Sequence, residues 1–334
     1  MRRLLLLLCP LLLLLGGCGR NTGPDLARFA PAEEDRLVLY TSHKEELYGP
    51  IIREFEARTG IWVQVETGGT SALLERLEAE AEDPACDLLF GGGADSLQAC
   101  ASLFEPYVSP LQEDIQPAFL CPDGTWTAFS SLPVVLIYNP VLIRTNPPDS
   151  WGSLLDPAWR GKIAFADPTV SGSGYTALAS LLQALPGDDE ALLAAFVNNL
   201  DGQILESSGQ ITGAVADGTC YIGAIPEDIA LQAVRKGQDV ALLCPKEGTC
   251  AMPDGMAVIA GCAHGENARR FIDFTLSEDV QQYLAEACFR RSVLTERQGA
   301  EDVLPALDYD ITWASGQREE LLRRWRELTE EAAP

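Results

Sequence analysis

Residues 36–65 read RLVLYTSHKEELYGPIIREFEARTGIWVQV, and this stretch decides the fold class. Residues 36–42 form an apolar run that ends in polar residues, which predicts a buried strand. Residues 45–58 predict a helix that Gly60 ends, and residues 61–65 alternate as a second strand. The apolar positions at helical spacing are Leu47, Ile51, Ile52 and Phe55. A strand, a helix and a strand in this order predict a parallel sheet with right-handed crossovers.

Strands and helices alternate along the rest of the chain, so the whole body is expected to be α/β. The further predicted strands are 86–90, 126–139, 161–166, 221–225 and 252–260, and a further strand–helix unit is predicted to start at Ile204. The further predicted helices are 71–82, 175–185, 227–237, 267–276, 280–287 and 317–331. Ligands bind beyond the carboxyl ends of the strands in such sheets. The loops at 41–44, 67–71 and 91–96 are therefore the expected binding loops.

The net charge of the chain disfavours nucleic acids as partners. The chain has 334 residues, with 24 Lys and Arg against 49 Asp and Glu, which gives a net charge of −25. Nucleic-acid-binding domains present a basic face, because phosphate contacts supply most of their affinity. No basic cluster opposes the acidic excess here, so we expect no nucleic-acid partner. The length suggests about two domains.

The beginning of the chain indicates export. Two arginines precede an apolar run at 4–15, which is typical of a secretory signal peptide and short of the ~20 residues of a membrane span. Leu-Gly-Gly-Cys at 15–18 resembles a bacterial lipobox, and this implies cleavage before Cys18 and lipidation of that residue. We expect residues 1–17 to be removed and residues 18–35 to tether the body. An ordinary signal peptide that ends near a cysteine is the alternative.

Cysteine usage agrees with export. Ten cysteines, less the two within the first eighteen residues, leave eight, and an even number favours disulfides outside the cytoplasm. The expected pairs are Cys244–Cys250, which closes a short loop, and Cys262–Cys288. Structural zinc is disfavoured, because the sequence has no Cys-x-x-Cys motif and only 2 histidines.

Four segments resemble the extracellular solute-binding proteins of ABC importers. They are LYTSHKE at 39–45, EFEARTGIWV at 54–63, SGSG at 171–174 and NARRFIDF at 267–274. The similar subgroup holds ferric-ion binders and binders of hexose phosphates, phosphoglycerate and aminoethylphosphonate. The resemblance covers about residues 36–300. It implies a two-lobed type II periplasmic-binding-protein fold, also called a Venus flytrap, with hinge-crossing strands and a ligand cleft.

The resemblance also implies how the lobes divide the chain. Lobe 1 is expected to hold residues 36–128 and 252–293, and lobe 2 residues 129–251 and 294–334. A ligand that contacts both lobes favours the closed arrangement. We expect a monomer that docks on ABC permease subunits after closure.

Ferric iron is one possible ligand. The ferric binders of this family hold iron with a His, a Glu and two adjacent Tyr. His43 stands at the His position, but the Glu position falls in the glycines at 91–93 and the Tyr pair falls at Glu227 and Asp228. Carboxylates also bind hard cations, so the ferric alternative stays open.

A phosphorylated or phosphonate ligand is the favoured prediction. Residues 171–174 stand before a predicted helix, where N–H groups, hydroxyls and the helix dipole attract anions, although they would equally make an ordinary N-cap. Arg291 offers a guanidinium for phosphate, and Glu227 and Asp228 suit hydroxyls or an ammonium at the other end of the ligand. The predicted ligand-binding residues are Thr41, Ser42, His43, Thr70, Ser71, Ser130, Ser131, Ser171, Gly172, Ser173, Gly174, Glu227, Asp228 and Arg291.

No enzyme motif accompanies these residues. The sequence has no Gly-x-Ser-x-Gly elbow, phosphate-binding P-loop, His-Glu-x-x-His or dinucleotide fingerprint. We therefore expect no enzymatic activity and no cofactor. The predicted function is that of a lipid-anchored, extracytoplasmic binding protein that passes a phospho-organic solute to an ABC permease. A ferric-ion binder and a ligand sensor of the same fold are the alternatives.

Overall fold

The structure is a computed structural model that describes residues 30–295 and 304–332. The predicted signal peptide, Cys18 and most of the predicted tether lie outside these residues. The last part of the tether is described, and Glu33–Asp35 forms a single helical turn there. Within the described ranges, no helix is both long and apolar enough to cross a membrane.

Strands and helices alternate through both lobes. The strands are β1 (Arg36–Thr41), β2 (Trp62–Thr67), β3 (Leu88–Gly93), β4 (Phe104–Glu105), β5 (Thr127–Tyr138), β6 (Ile163–Ala166), β7 (Ile204–Leu205), β8 (Ile222–Pro226), β9 (Ala241–Leu243) and β10 (Ala251–Ile259). The helices are α1 (Glu45–Thr59), α2 (Thr70–Ala79), α3 (Ala94–Ala99), α4 (Gly172–Ala184), α5 (Asp189–Leu200), α6 (Ser208–Ala216), α7 (Glu227–Arg235), α8 (Gly265–Thr275), α9 (Glu278–Cys288) and α10 (Ile311–Ala332).

One long strand joins the two lobes. The strand order is β2-β1-β3-β10-β5-β8-β6-β7, in which β1, β2 and β3 are parallel and β10 runs against β3. The first part of β5 pairs with β10, and Val134 to Tyr138 pair with β8 of the second lobe. The predicted crossing strand is thus present as β5. The predicted lobe boundaries remain a prediction at the level of single residues.

The helical face predicted for 45–58 is confirmed in α1. Leu47, Ile51, Ile52 and Phe55 are all buried there. The Phe55 ring meets the Phe271 ring of α8 edge to face, with 5.0 Å between their centroids. Aromatic pairs in this geometry stabilise a core by more than the area they bury. This contact packs residues 54–63 against residues 267–274, two of the segments that carry the family resemblance.

Several elements differ from the sequence prediction: the short strands β4 and β9 were not predicted, and α10 begins at Ile311 rather than at 317. Residues 91–96 do not form a loop, because β3 continues through Gly93 and α3 begins at Ala94. The strand continues since Gly93 still pairs with Asp254 of β10. Helix α5 was not predicted, although the Asp188 side chain caps its start by accepting from the Ala191 N–H at 3.0 Å.

The predicted disulfides are absent from the structure. All eight cysteines of the described residues are free thiols, so neither Cys244–Cys250 nor Cys262–Cys288 is bonded. Cys250 is buried with its sulfur 3.2 Å from the hydroxyl of Ser180, whereas Cys244 is only partly buried. Cys262 follows β10 while Cys288 ends α9, so this pair belongs to different elements.

The C-terminal helix α10 packs against α3 and α5, and therefore against both lobes. Its anchor is Trp325, which is 1% exposed and lies against the rings of Phe165 and Phe196. A large aromatic side chain in this position contributes both buried area and close contacts.

Replacing Trp325 by Ala is expected to lower the free energy of unfolding by about 3 to 5 kcal/mol, because it leaves a cavity between α10 and lobe 2. Urea denaturation followed by circular dichroism measures the loss. The matched control is Trp62→Ala on β2, whose side chain is 45% exposed, and this change should cost far less. Equal losses in the two variants would contradict the anchoring role of Trp325.

Candidate functional site

A cavity of about 640 Å³ lies between the lobes. Its lining includes residues from the starts of five helices and from the end of a sixth, α9. The five helices are α1, α2, α4, α6 and α7. This convergence follows from the topology, because the carboxyl ends of parallel strands and the helices that follow them meet at one edge.

The structure brings half of the predicted ligand-binding residues to the cavity. The predicted residues that line it are Ser42, His43, Thr70, Ser171, Gly172, Ser173 and Asp228. The predicted residues that are not among its described lining residues are Thr41, Ser71, Ser130, Ser131, Gly174, Glu227 and Arg291.

Several of the second group support residues that do line the cavity. The Thr41 hydroxyl donates to the Phe90 carbonyl at 2.6 Å and accepts from the His43 N–H at 3.1 Å, which fixes the turn that carries His43. The Gly174 N–H donates to the Ser171 hydroxyl at 3.1 Å, so the N-cap interpretation of this segment is also correct.

Arg291 faces a different partner from the one predicted. Its Nε and Nη2 donate to the two carboxylate oxygens of Glu227 at 2.6 and 3.0 Å. Both carboxylate oxygens of Glu227 thus accept from one guanidinium in a bidentate pair. The preceding residue, Arg290, lines the cavity instead.

Arg290 forms the centre of a buried charged cluster. It is 8% exposed, and its Nη1 lies 2.6 Å from Asp254 Oδ2 while its Nε lies 2.9 Å from Asp228 Oδ2. Asp254 is fully buried and also accepts from the Gly92 N–H at 2.8 Å. His43 completes the cluster, with Nε2 at 3.2 Å from Asp254 Oδ2 and Nδ1 at 3.5 Å from Arg290 Nη2.

The two ring nitrogens of His43 face groups of opposite charge. Nδ1 faces a guanidinium, which can only donate, and Nε2 faces a carboxylate, which accepts. Gly91 makes room for the ring, since a Cβ added there would come within 2.4 Å of Nε2, and its φ of +108° favours glycine in any case.

Burial and the neighbouring charges shift the pKa values of Asp228, Asp254 and Arg290 in opposite directions. Burial raises the pKa of Asp228 above its ordinary value, although Arg290 and His43 oppose it. Burial acts in the same direction on Asp254, but His43, Arg290 and the Gly92 N–H outweigh it and hold the pKa of Asp254 below its ordinary value. Desolvation alone would lower the pKa of Arg290, but its two carboxylate partners raise it.

A second polar group forms where α4, α6 and Lys44 meet. The Ser173 hydroxyl lies 2.8 Å from the Ser208 hydroxyl and 3.2 Å from the Ser171 hydroxyl. Lys44 reaches across from lobe 1, since a Cβ added at Gly209 would come within 2.9 Å of the Lys44 Nζ. An ammonium thus lies against the first turn of α6.

Four of the five helix starts at the cavity, those of α1, α2, α6 and α7, lack a side-chain cap. The N-cap residues of α2 and α6 are Gly69 and Ser207, and neither makes a side-chain hydrogen bond to the helix. The first N–H groups of a helix have no partner within it, and together with the dipole they favour an anion. This part of the cavity therefore has donors and partial positive charge available to a ligand.

Comparison with known proteins shows the family. Residues 84–313 match the family described as bacterial extracellular solute-binding protein. The chain belongs to this family. Iron uptake protein A1 of Synechocystis sp. is 28% identical to this solute-binding protein over 300 residues, which cover 84% of this chain and 82% of the relative. The family and the fold are those of transport binding proteins rather than of enzymes.

A second relative and a solved structure provide information on the fold and on the range of ligands bound by similar proteins. A Salmonella typhimurium protein with the provisional name 2-aminoethylphosphonate-binding periplasmic protein is 23% identical over 240 residues, covering 70% of this chain and 69% of its own. The periplasmic binding protein AfuA from Actinobacillus pleuropneumoniae was solved with exogenous fructose-6-phosphate bound. It matches with a TM-score of 0.82 and 24% identity, over 88% of this chain and 98% of AfuA. The predicted two-lobed periplasmic-binding-protein fold is confirmed.

The sequence did not single out several residues of this solute-binding protein's cavity. Asp254 had a visible signal, since it is a carboxylate inside an otherwise apolar strand, where a charge requires a partner. Ser207 and Ser208 follow a strand and open a helix, the same pattern that identified Ser171 and Ser173. Lys44 had no local signal, because its contact with α6 is made across the cleft.

The donor types around the cavity bear on metal binding. Within residues 30–295 and 304–332, no group of three or more His, Cys, Asp or Glu side chains is placed to hold a metal ion. The described residues that line the cavity also include no tyrosine. The phenolate and carboxylate set of the ferric binders is therefore not assembled by these residues.

Replacing Asp254 by Asn is expected to lower the free energy of unfolding by about 3 to 5 kcal/mol, because Arg290 loses a buried partner. A carboxylate whose pKa is lowered by folding stabilises the protein above its unfolded pKa. The difference between wild type and variant should thus be full at neutral pH and shrink below about pH 4. Urea denaturation across this pH range measures it.

The matched control is Asp279→Asn, because Asp279 is 52% exposed and pairs with Arg58 at the surface. This variant should unfold almost as wild type does. If Asp254→Asn were no less stable than this control at neutral pH, the buried cluster would not be held together by charge.

Proposed function

We propose that this solute-binding protein captures a small phosphorylated or phosphonate organic solute in the cleft and delivers it to an ABC permease. The observation that carries the proposal is the position of Lys44, whose ammonium lies against the uncapped first turn of α6. The hydroxyls of Ser173 and Ser208 stand beside that turn. A phospho group could accept hydrogen bonds from all three kinds of donor.

The strength of such a site comes from the direction of its donors. Helix N–H groups, hydroxyls and an ammonium that converge on one point form charge-assisted hydrogen bonds with phosphate or phosphonate oxygens. Glu46 and Glu206 also line the cavity and, like Lys44, are exposed, so water and salt screen all three charges. The two carboxylates weaken the local attraction without replacing a donor.

The size of the cavity favours an organic solute. Its volume of about 640 Å³ lies within the range of about 300 to 1,000 Å³ that is usual for small-molecule pockets. A bare metal ion needs only the volume that its coordinating ligands enclose. The space beyond the Lys44 region is therefore available to the organic part of the solute.

The buried cluster disfavours ferric iron as the ligand. Arg290 already places a cation between Asp228 and Asp254, and a second cation there would meet strong repulsion at short range. The relatives include a protein named for iron uptake, and AfuA was solved with a sugar phosphate. The donor set of this chain supports the second kind of ligand.

Anchoring through Cys18 is part of the proposal. A lipidated cysteine after residues 1–17 would hold the protein at the outer side of the membrane through several acyl chains, which together make a stable anchor. Mass spectrometry of the membrane fraction tests it, since Cys18→Ser would release an unmodified protein.

Replacing Lys44 by Met is expected to weaken the binding of fructose-6-phosphate and of 2-aminoethylphosphonate alike by about 10- to 100-fold, because one charge-assisted contact to the phospho group is lost. Titration calorimetry measures both affinities. The double change Ser173→Ala and Ser208→Ala should also weaken both.

Lys246→Met is the matched control, because Lys246 is 69% exposed and pairs with Asp149 away from the cavity. Its affinities should equal those of wild type. A ferric salt that stabilises the protein in a thermal-shift assay, while neither phospho compound does so, would contradict the proposed function.

A further inference from the structure

We propose that two residues of the C-terminal segment, Tyr309 and Arg318, hold the two lobes in the closed arrangement before any solute binds. We call these two residues the clasp. The inference goes beyond the proposed function, because it concerns the contact between the lobes and holds whatever the solute is.

The lobes touch where α2 of lobe 1 meets α4 of lobe 2, and two glycines make this contact possible. A Cβ added at Gly69 would lie 2.6 Å from the carbonyl oxygen of Val170, and a Cβ added at Gly172 would lie 2.9 Å from the Thr70 hydroxyl oxygen. Glycine permits such a close approach of two segments of backbone. All four residues line the cavity, so this contact forms part of its wall.

Asp95 joins the two lobes next to this contact. It lies on α3 and is fully buried. Its Oδ2 accepts a hydrogen bond from the Thr176 hydroxyl of α4 at 2.9 Å and another from the Tyr309 hydroxyl at 2.8 Å. A buried carboxylate requires such donors, so Tyr309 helps to hold Asp95 where Thr176 of the other lobe reaches it.

Arg318 of α10 contacts the first turns of three helices. The residue is 8% exposed, and its Nη1 and Nη2 donate to the hydroxyls of Ser96 on α3 and Ser71 on α2 at 3.0 and 2.9 Å. Its guanidinium carbon lies 4.4 Å from the centroid of the Tyr175 ring on α4. A guanidinium over an aromatic face is attracted by the ring, and more strongly where water is excluded. One cation therefore joins lobe 1 to lobe 2.

The two buried charges are linked through Ser96. Its hydroxyl donates to Asp95 Oδ1 at 3.1 Å and accepts from Arg318. Separating the lobes would remove Thr176 from Asp95 and Tyr175 from Arg318, which leaves both charges with fewer partners. The contacts of the protein itself therefore favour the closed arrangement, and a solute does not have to supply the whole cost of closure.

Small-angle X-ray scattering of the dialysed, solute-free protein tests the inference, because the radius of gyration increases when the lobes separate. Wild type is expected to show the radius of gyration of the closed arrangement. Tyr309→Phe and Arg318→Met should each shift it to a larger value. The first variant removes only the hydroxyl that binds Asp95, and the second keeps most of the side-chain stem but removes the charge.

The matched control is Tyr107→Phe, which removes a hydroxyl that donates to Asp273 at 2.9 Å within lobe 1. It should leave the radius of gyration at the wild-type value, and urea denaturation gives the loss of stability in all three variants. Wild type with separated lobes, or clasp variants that lose stability but keep the wild-type radius, would overturn the inference and leave the proposed function standing. Tyr309→Phe decides the matter even if Arg318→Met does not fold.

Discussion

The guanidinium of Arg290 lies in a wall of the cleft, where the residue is only 8% exposed. Its buried positive charge is stable only because carboxylates from both lobes pair with it. Asp254 comes from β10 and Asp228 from α7. Separating Asp228 from Arg290 would leave the buried carboxylate of Asp228 without its cationic partner. One guanidinium thus fixes the cleft wall, orients His43 and ties one lobe to the other where the ligand is expected to bind.

The proposed function requires a strongly acidic protein to bind an anion. The chain has a net charge of −25, yet exposed charges are screened beyond about 8 Å at physiological ionic strength. The donors at the starts of α4 and α6 act at contact distance, as does the ammonium of Lys44. Affinity therefore depends on local direction, and capture of the solute needs no long-range attraction.

The fold was predictable from local patterns, and the cavity only in part. The periodicity of α1 and the glycine that ends it are local, so residues 45–58 were identified almost to the last residue. Arg290 and Arg291 are neighbours whose side chains take different directions, and the sequence cannot say which one faces the cleft. The partners of Asp254 and Lys44 lie far away in the sequence, so the roles of these two residues are visible only in the folded structure.

A crystal structure with bound 2-aminoethylphosphonate tests the central claim most directly. The phosphonate is predicted to lie between the starts of α4 and α6, with oxygens in hydrogen-bond reach of Lys44 Nζ and of the Ser173 and Ser208 hydroxyls. A phosphonate bound away from both helix starts, or a metal ion coordinated by His43 and Asp228 in place of the guanidinium, would contradict the account.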